Sequence, residues 1–264
     1  SLPGGCAIGA RQVDQHIHSL KALGAEIAIE NGYIIAKSHG RLKGGEYQFS
    51  VKSVGATINA ILASVLAEGS SSFINCAWEP EIVDLCNFLN KAGAKISGIG
   101  TDNIIVEGVS SLSSVSHEII PDRIEAGTYL IAGAMTGGNL TVSNIKLAHI
   151  KNLTVKLENA GVKLQYGDDS IGVIGNGILN PTDISTNPYP GFSTDLQAQF
   201  MSLMSKANGR SVISENIFEN RFMHVQELIR LGADITPKTR VAIVRGQGKG
   251  LQAAPVMATD LRAS

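Results

Sequence analysis

Apolar positions along this chain recur in two alternating rhythms. Val13, Ile17 and Leu20, or Ile82, Leu85 and Leu89, return at helical spacing. Each such run closes on a glycine: Gly24 in "LKALGAEI", Gly93 in "LNKAGAKI", Gly161 in "LENAGVKL" and Gly232 in "LIRLGADI". A glycine at that place suits a helix C-cap. The rhythm then changes to alternation in "NGYIIA", "TDNIIVEG", "DDSIGVIG" and "KTRVAIVRG", which predicts strand, turn and strand. The four glycines are 69, 68 and 71 residues apart, so the pattern is a repeat. A second landmark precedes the last three of them: an apolar helix, a turn at Gly69, Gly138 or Gly209, and a strand. The unit is therefore helix, strand, helix, strand, strand. The chain holds the second half of one unit, three whole units and the opening of another. That period exceeds the common solenoid repeats. A scaffold of stacked repeats without chemistry is one reading of it.

The first helix of each unit starts at "SVGATINA", "RIEAGTYL", "STDLQAQF" and "ATDLRAS". The last two share Thr-Asp-Leu, at Thr194, Asp195, Leu196 and at Thr259, Asp260, Leu261. Ser53, Thr194 and Thr259 are expected N-caps. Helix N-termini carry unpaired N–H groups and attract phosphate or carboxylate. Several converging N-termini would make an anion-binding cleft; ordinary capping is the plainer account of Asp195 and Asp260.

Composition narrows the class. The chain has 264 residues, 44% of them hydrophobic and 17% charged, which favours a sizeable core over disorder. A net charge of -1 and the lack of a Lys/Arg block argue against a nucleic-acid partner. Cys6, Cys76 and Cys86 are an odd set without paired spacing, which suggests a reducing compartment and no structural zinc. The longest apolar stretch, 54–67, is too short to span a bilayer, and no signal peptide is visible. The stretch "LPGGCAIGAR" sets Cys6 after two glycines and five residues before Arg11. It reads as a loop. Its thiol either meets a substrate, activated by Arg11, or lies idle on the surface.

The chain resembles the UDP-N-acetylglucosamine 1-carboxyvinyltransferases, enolpyruvyl transferases that open bacterial peptidoglycan synthesis. The likeness runs through "LPGGCAIGAR", "RLKGG", "SVGAT", "EPEIVDLCNFL", "GAKISGIGTDNIIVEGV", "PDRIEAGTYL", "STDLQAQF", "FENRFMHVQEL" and "ATDLRAS". It implies a two-domain inside-out α/β barrel, with residues 1–120 in one domain and 121–264 in the other. It implies transfer of enolpyruvate from phosphoenolpyruvate to the 3-hydroxyl of UDP-N-acetylglucosamine, in the bacterial cytoplasm. It implies that no metal, organic cofactor, nucleic acid or membrane is needed.

By that resemblance Cys6 donates a proton to the enol carbon, forms a covalent adduct with phosphoenolpyruvate and is alkylated by fosfomycin. Asp195 is the general base, and Arg11 holds phosphate charge. Gln12, Val13, Asp14 and Gln15 frame the uracil. Ser53, Val54 and Gly55 receive the diphosphate, with Val51 and Lys52 beside them. Ile217 touches the nucleotide sugar. Arg221 and Arg262 clamp the carboxylate of phosphoenolpyruvate, and Asp260 belongs to the same substrate-binding set. Gln12 stands where the family more often has proline, and the pair at 51–52 is variable in it. The resemblance also implies segments before Leu2 and after Ser264, carrying a lysine–asparagine pair and further arginines. A chain truncated at both ends is expected to have no transferase activity alone. A relative that binds nucleotide sugar without turnover is the alternative.

The other candidates read as structural. Cys76 and Cys86 are expected in the core, Glu79 and Glu81 as helix caps, and His224 as a hydrogen bonder. His16 and His18 are expected in solvent. Asp122, Arg123 and Glu125 form either a local ion pair or part of a ligand site.

Overall fold

The computed structural model describes residues 8, 9, 12–175, 177–260 and 262. The backbone separates after Ile120 into two units, with Ile8 and Gly9 grouped with the second. Ile8 accepts a hydrogen bond at its carbonyl from Asn220 N at 3.0 Å.

In the first unit the helical rhythm gives α1 (Asp14–Ala22), α2 (Val54–Val65) and α3 (Pro80–Lys91). The alternating segments give β1 (Glu26–Glu30) with β2 (Tyr33–Lys37), and β5 (Lys95–Ser97) with β6 (Asn103–Glu107). β3 (Glu46–Gln48) and β4 (Ser70–Ile74) complete a four-stranded sheet in the order β3-β4-β6-β5.

The second unit repeats the plan. It contains α4 (Arg123–Thr136), β7 (Asn139–Val142), a 3₁₀ turn (Leu147–Ile150), α5 (Lys151–Asn159), β8 (Lys163–Tyr166) and β9 (Ile171–Ile174). β10 (Ile184–Ser185), a 3₁₀ turn (Thr194–Leu196), α6 (Gln197–Ser205), β11 (Asn208–Ser214), α7 (His224–Arg230), β12 (Ile235–Pro237) and β13 (Val241–Gln247) follow.

The repeat read from glycine spacing is visible in the pairing. In β4-β6-β5, β7-β9-β8 and β11-β13-β12 the last strand of the unit sits between the other two, antiparallel to both. Gly24, Gly93, Gly161 and Gly232 all take positive φ, between 84° and 104°, where a side chain would be strained. Each turns the chain from helix to strand.

Burial follows a helices-inside plan within each unit. β6 alternates exposed and buried residues, turning Ile104 and Val106 inward. α6 buries seven of its nine residues, among them Phe200, Met201, Leu203 and Met204, so it is wrapped nearly all round. It packs on α4. Gly127 makes a close approach possible there, because a Cβ would lie 2.9 Å from both methyls of Leu196. That contact seats the 3₁₀ turn before α6 against α4.

Three details depart from expectation. Residues 251–260 form no helix, so "ATDLRAS" does not open one within the described residues. Ser193 rather than Thr194 caps the turn before α6, accepting from Asp195 N. Glu79 occupies the N-cap position of α3 without a side-chain capping bond; its carbonyl accepts from Ile82 N and Val83 N.

Candidate active site

In the second unit a buried guanidinium gathers two carboxylates. Arg221 is 4% exposed. Its Nη1 donates to Asp195 Oδ1 at 2.6 Å and to Thr194 Oγ1 at 2.9 Å. Its Nε donates to Asp260 Oδ2 at 3.0 Å and its Nη2 to Asp260 Oδ1 at 3.3 Å. The face of the group lies 5.4 Å from the centre of the Phe218 ring. Burial works against its charge, but the hydrogen bonds and charges of Asp260 and Asp195 outweigh that and raise its pKa. The two aspartates thus neutralise Arg221, and one edge of the guanidinium is committed to Asp260. In this arrangement it orients carboxylates and offers no paired edge to a third.

The two carboxylates differ in access. The Asp260 side chain is 5% exposed, whereas that of Asp195 is 36% exposed. Ser193 performs the capping, so the Asp195 carboxylate is left to face solvent with one oxygen fixed. A carboxylate so held can take a proton from a bound hydroxyl.

His224 starts α7 beside this group. Burial pushes its imidazole down to about 4, with Asp260 opposing and Arg221 reinforcing the effect. Its Nε2 has no hydrogen-bond partner among the described residues. The imidazole is therefore neutral near pH 7.

Arg262 donates from its backbone N to Asp260 Oδ1 at 2.8 Å, and its carbonyl accepts from Gln199 Nε2 at 2.8 Å. Its side chain pairs with Asp122 at 3.0 Å. Asp122 also caps α4 by accepting from Ile124 N and Glu125 N. Burial raises its pKa, but those N–H groups and Arg262 together bring it below the usual value. Asp122 of "PDRIE" thus pairs with Arg262 as well as capping α4.

In the first unit, Gln15 is the anchor. Its Nε2 donates to Asp14 Oδ2 and Ser50 Oγ, and its Oε1 accepts from Ser50 N and the Tyr47 hydroxyl. This fixes the start of α1 against the segment that leads into α2. Gln12 is exposed, while Val13 and Asp14 are half-buried. The Gln15 hydrogen bond is the main cause lowering the pKa of Asp14.

Ser53 caps α2 by accepting from Ala56 N. The first N–H groups of a helix have no partner within it, and here they belong to Val54 and Gly55. No acidic residue lies in that first turn. Lys52 adds positive charge next to it, held by Cys76 O at 3.0 Å and Asp102 Oδ2 at 3.4 Å; Val51 is exposed. His16 lies against Gly55 and meets Asn59 through Nδ1, so it is half-buried rather than solvated, and burial lowers its pKa. His18 is exposed.

The sequence profile of the family described as EPSP synthase (3-phosphoshikimate 1-carboxyvinyltransferase) matches residues 1–264. The chain belongs to the EPSP synthase family. It is 60% identical over its whole length to the UDP-N-acetylglucosamine 1-carboxyvinyltransferase of Rickettsia bellii (strain OSU 85-389) and 58% identical to that of Rickettsia akari (strain Hartford). It spans 63% of the length of these relatives. Among solved structures, the enolpyruvyl transferase NikO from Streptomyces tendae superposes with a TM-score of 0.80 at 20% identity, over 89% of this chain and 58% of that one. An EPSP synthase from Acinetobacter baumannii gives 0.65 at 18% identity, over 92% and 58%. These two establish the enolpyruvyl transferase fold.

Within this family member, the structure brings Asp195, Arg221, Asp260 and Arg262 together, with Ile217 on the loop that follows β11. Separately it brings Gln12, Val13, Asp14 and Gln15 together with Val51, Lys52, Ser53, Val54 and Gly55 through the Gln15–Ser50 contacts. Cys6 and Arg11 lie outside the described residues. Glu215 and Thr194 escaped sequence reasoning as site residues. The available signal was an acid set two residues after the apolar pair Val212 and Ile213, at the end of an alternating segment. Among the described residues no group of three His, Cys, Asp or Glu could hold a metal, and no helix is long and apolar enough to cross a membrane.

Proposed function

We propose that the protein carrying this chain transfers the enolpyruvyl group of phosphoenolpyruvate to the 3-hydroxyl of UDP-N-acetylglucosamine. The observation that carries this reading is the Asp195 carboxylate, fixed by Arg221 at 2.6 Å yet open to solvent. The whole-chain identity to proteins named for this reaction supports the choice of substrate.

In this mechanism the enol carbon of phosphoenolpyruvate gains a proton from Cys6. The sugar oxygen bonds to the neighbouring carbon as Asp195 takes the hydroxyl proton. The adduct then loses a methyl proton and phosphate, which restores the double bond. Arg221 acts as a positioning residue, holding Asp195 and Asp260. The loop before α2 and the start of α1 take the diphosphate and uracil, where a capped helix N-terminus and Lys52 favour an anion. Arg11 and Arg262 complete the charge around phosphoenolpyruvate. Residues 1–120 and 121–264 are parts of the enzyme's two domains. The reaction is the first committed step of peptidoglycan synthesis, in the cytoplasm.

The test is phosphate release from the two substrates by the full-length protein and by its Asp195→Asn variant. The expected result is turnover by the parent and a loss of about a hundredfold or more in the variant. Equal rates would remove Asp195 as the base. Binding of UDP-N-acetylglucosamine without phosphate release would identify a non-catalytic nucleotide-sugar binder instead.

A further inference from the structure

Directly after β11 a carboxylate lies wholly inside the second unit. Glu215 is 1% exposed. Its Oε1 accepts from the Thr186 hydroxyl at 2.9 Å, Ile217 N at 2.9 Å and Phe218 N at 3.1 Å. Its Oε2 accepts from the Thr194 hydroxyl at 2.9 Å. A buried carboxylate needs this many donors. They come from three separate pieces of chain: the end of β10, the turn before α6, and the loop to α7.

Two of those pieces carry the site. Thr194 directly precedes Asp195, and its oxygen accepts from Arg221 Nη1, the same nitrogen that holds Asp195. The Ile217 and Phe218 amides fix the loop that places Phe218 under the Arg221 guanidinium. We propose that Glu215 is a positioning residue for this site, acting through the Thr194 hydroxyl to hold Arg221 and Asp195 in register. The inference rests on the transferase reading for its effect on turnover, and on the hydrogen-bond geometry alone for its effect on Arg221.

The direction of the Thr194 bond makes the idea sharp. Its single proton goes to Glu215, which leaves its lone pairs for Arg221. In Glu215→Gln the amide oxygen can still accept from Ile217 N and Phe218 N. The amide nitrogen, however, points a donor at Thr194. Two donors then face that hydroxyl, and its own proton must turn elsewhere. The substitution therefore disturbs the branch to Arg221 while sparing the loop.

The experiment uses the full-length protein with Glu215→Gln, Thr194→Val and the double variant. Turnover is read by phosphate release. The Arg221 Nη1–H protons and the Ile217 and Phe218 amides are followed by NMR hydrogen exchange. Each single variant should lower kcat by roughly ten- to a hundredfold, the scale of one hydrogen bond to a charged group. The double variant should be no worse than the weaker single by more than about threefold, because both break one connection. Arg221 Nη1–H exchange should speed up about tenfold or more in all three. In Glu215→Gln the two loop amides should stay protected. Losses that multiply in the double variant would overturn the proposal, as would an effect confined to KM. Unchanged exchange at Arg221 would overturn it whether or not turnover is seen. Absence of phosphate release by the parent would count against the transferase reading alone.

Discussion

Lowering the pH from 7 to 5 perturbs the second unit at one buried side chain, His224. In an unfolded chain its imidazole has the ordinary value of 6.5; folded, burial beside Arg221 pushes it down to about 4. The unfolded chain therefore takes up a proton that the folded one refuses. Stability is full above pH 6.5 and is lost as the pH falls towards 4. With about 1.4 kcal/mol for each tenfold change in proton affinity, the whole window costs roughly 3 kcal/mol, and about 2 of these fall between pH 7 and 5. Urea denaturation followed by circular dichroism, at pH 7, 6 and 5, measures the loss. His224→Gln is the control, because it keeps a polar side chain but cannot gain the charge. The parent should lose about 2 kcal/mol more than the variant. The imidazole resonance should titrate near pH 4. Equal losses in the two proteins, or an imidazole midpoint near 6.5, would refute the burial argument.

Two further outcomes follow from burial and capping. Cys76 and Cys86 are fully buried, with thiols pushed up to about 12 and about 11 by desolvation, so brief alkylation of folded protein near pH 7 should label Cys6 first; mass spectrometry finding Cys76 or Cys86 labelled ahead of it would contradict this. Asp122→Ala removes the cap of α4 and should cost about 1 kcal/mol by chemical denaturation. Asp122→Asn should recover most of that, since the half-exposed pair with Arg262 adds little.

The repeat was legible because it is written in local chemistry. A helix that must turn at once into a strand needs a left-handed residue, and Gly24, Gly93, Gly161 and Gly232 supply one each time. Alternation in "TDNIIVEG" is enough to place Ile104 and Val106 inside, because a strand with one buried face has no other choice. Asp195 and Arg221 were named from motifs, yet the bond between them was not readable. They are 26 residues apart, and nothing in either motif says that the arginine meets two carboxylates. Thr194 shows the same limit. It is as good a cap as Ser193 on its own chemistry, but Glu215 and Arg221 recruit its hydroxyl, so the cap passes to its neighbour.

That transfer bears on why the helix starts of the second unit behave differently. Asp122, Asp195 and Asp260 each stand at the opening of a repeat, where an acid ordinarily serves the backbone N–H groups. Asp122 does so, accepting from two of them. Asp260 accepts from Arg262 N and both edge nitrogens of Arg221, and is closed off from solvent. Asp195 alone has its backbone duty taken over, by Ser193, and keeps an exposed oxygen. A carboxylate can act as a base only with a lone pair to spare. Of these three acids, the one relieved of capping is the one proposed as the base. Ser193 supplies that relief by accepting from the backbone N–H, so Arg221 holds one oxygen of Asp195 while the carboxylate stays open to solvent.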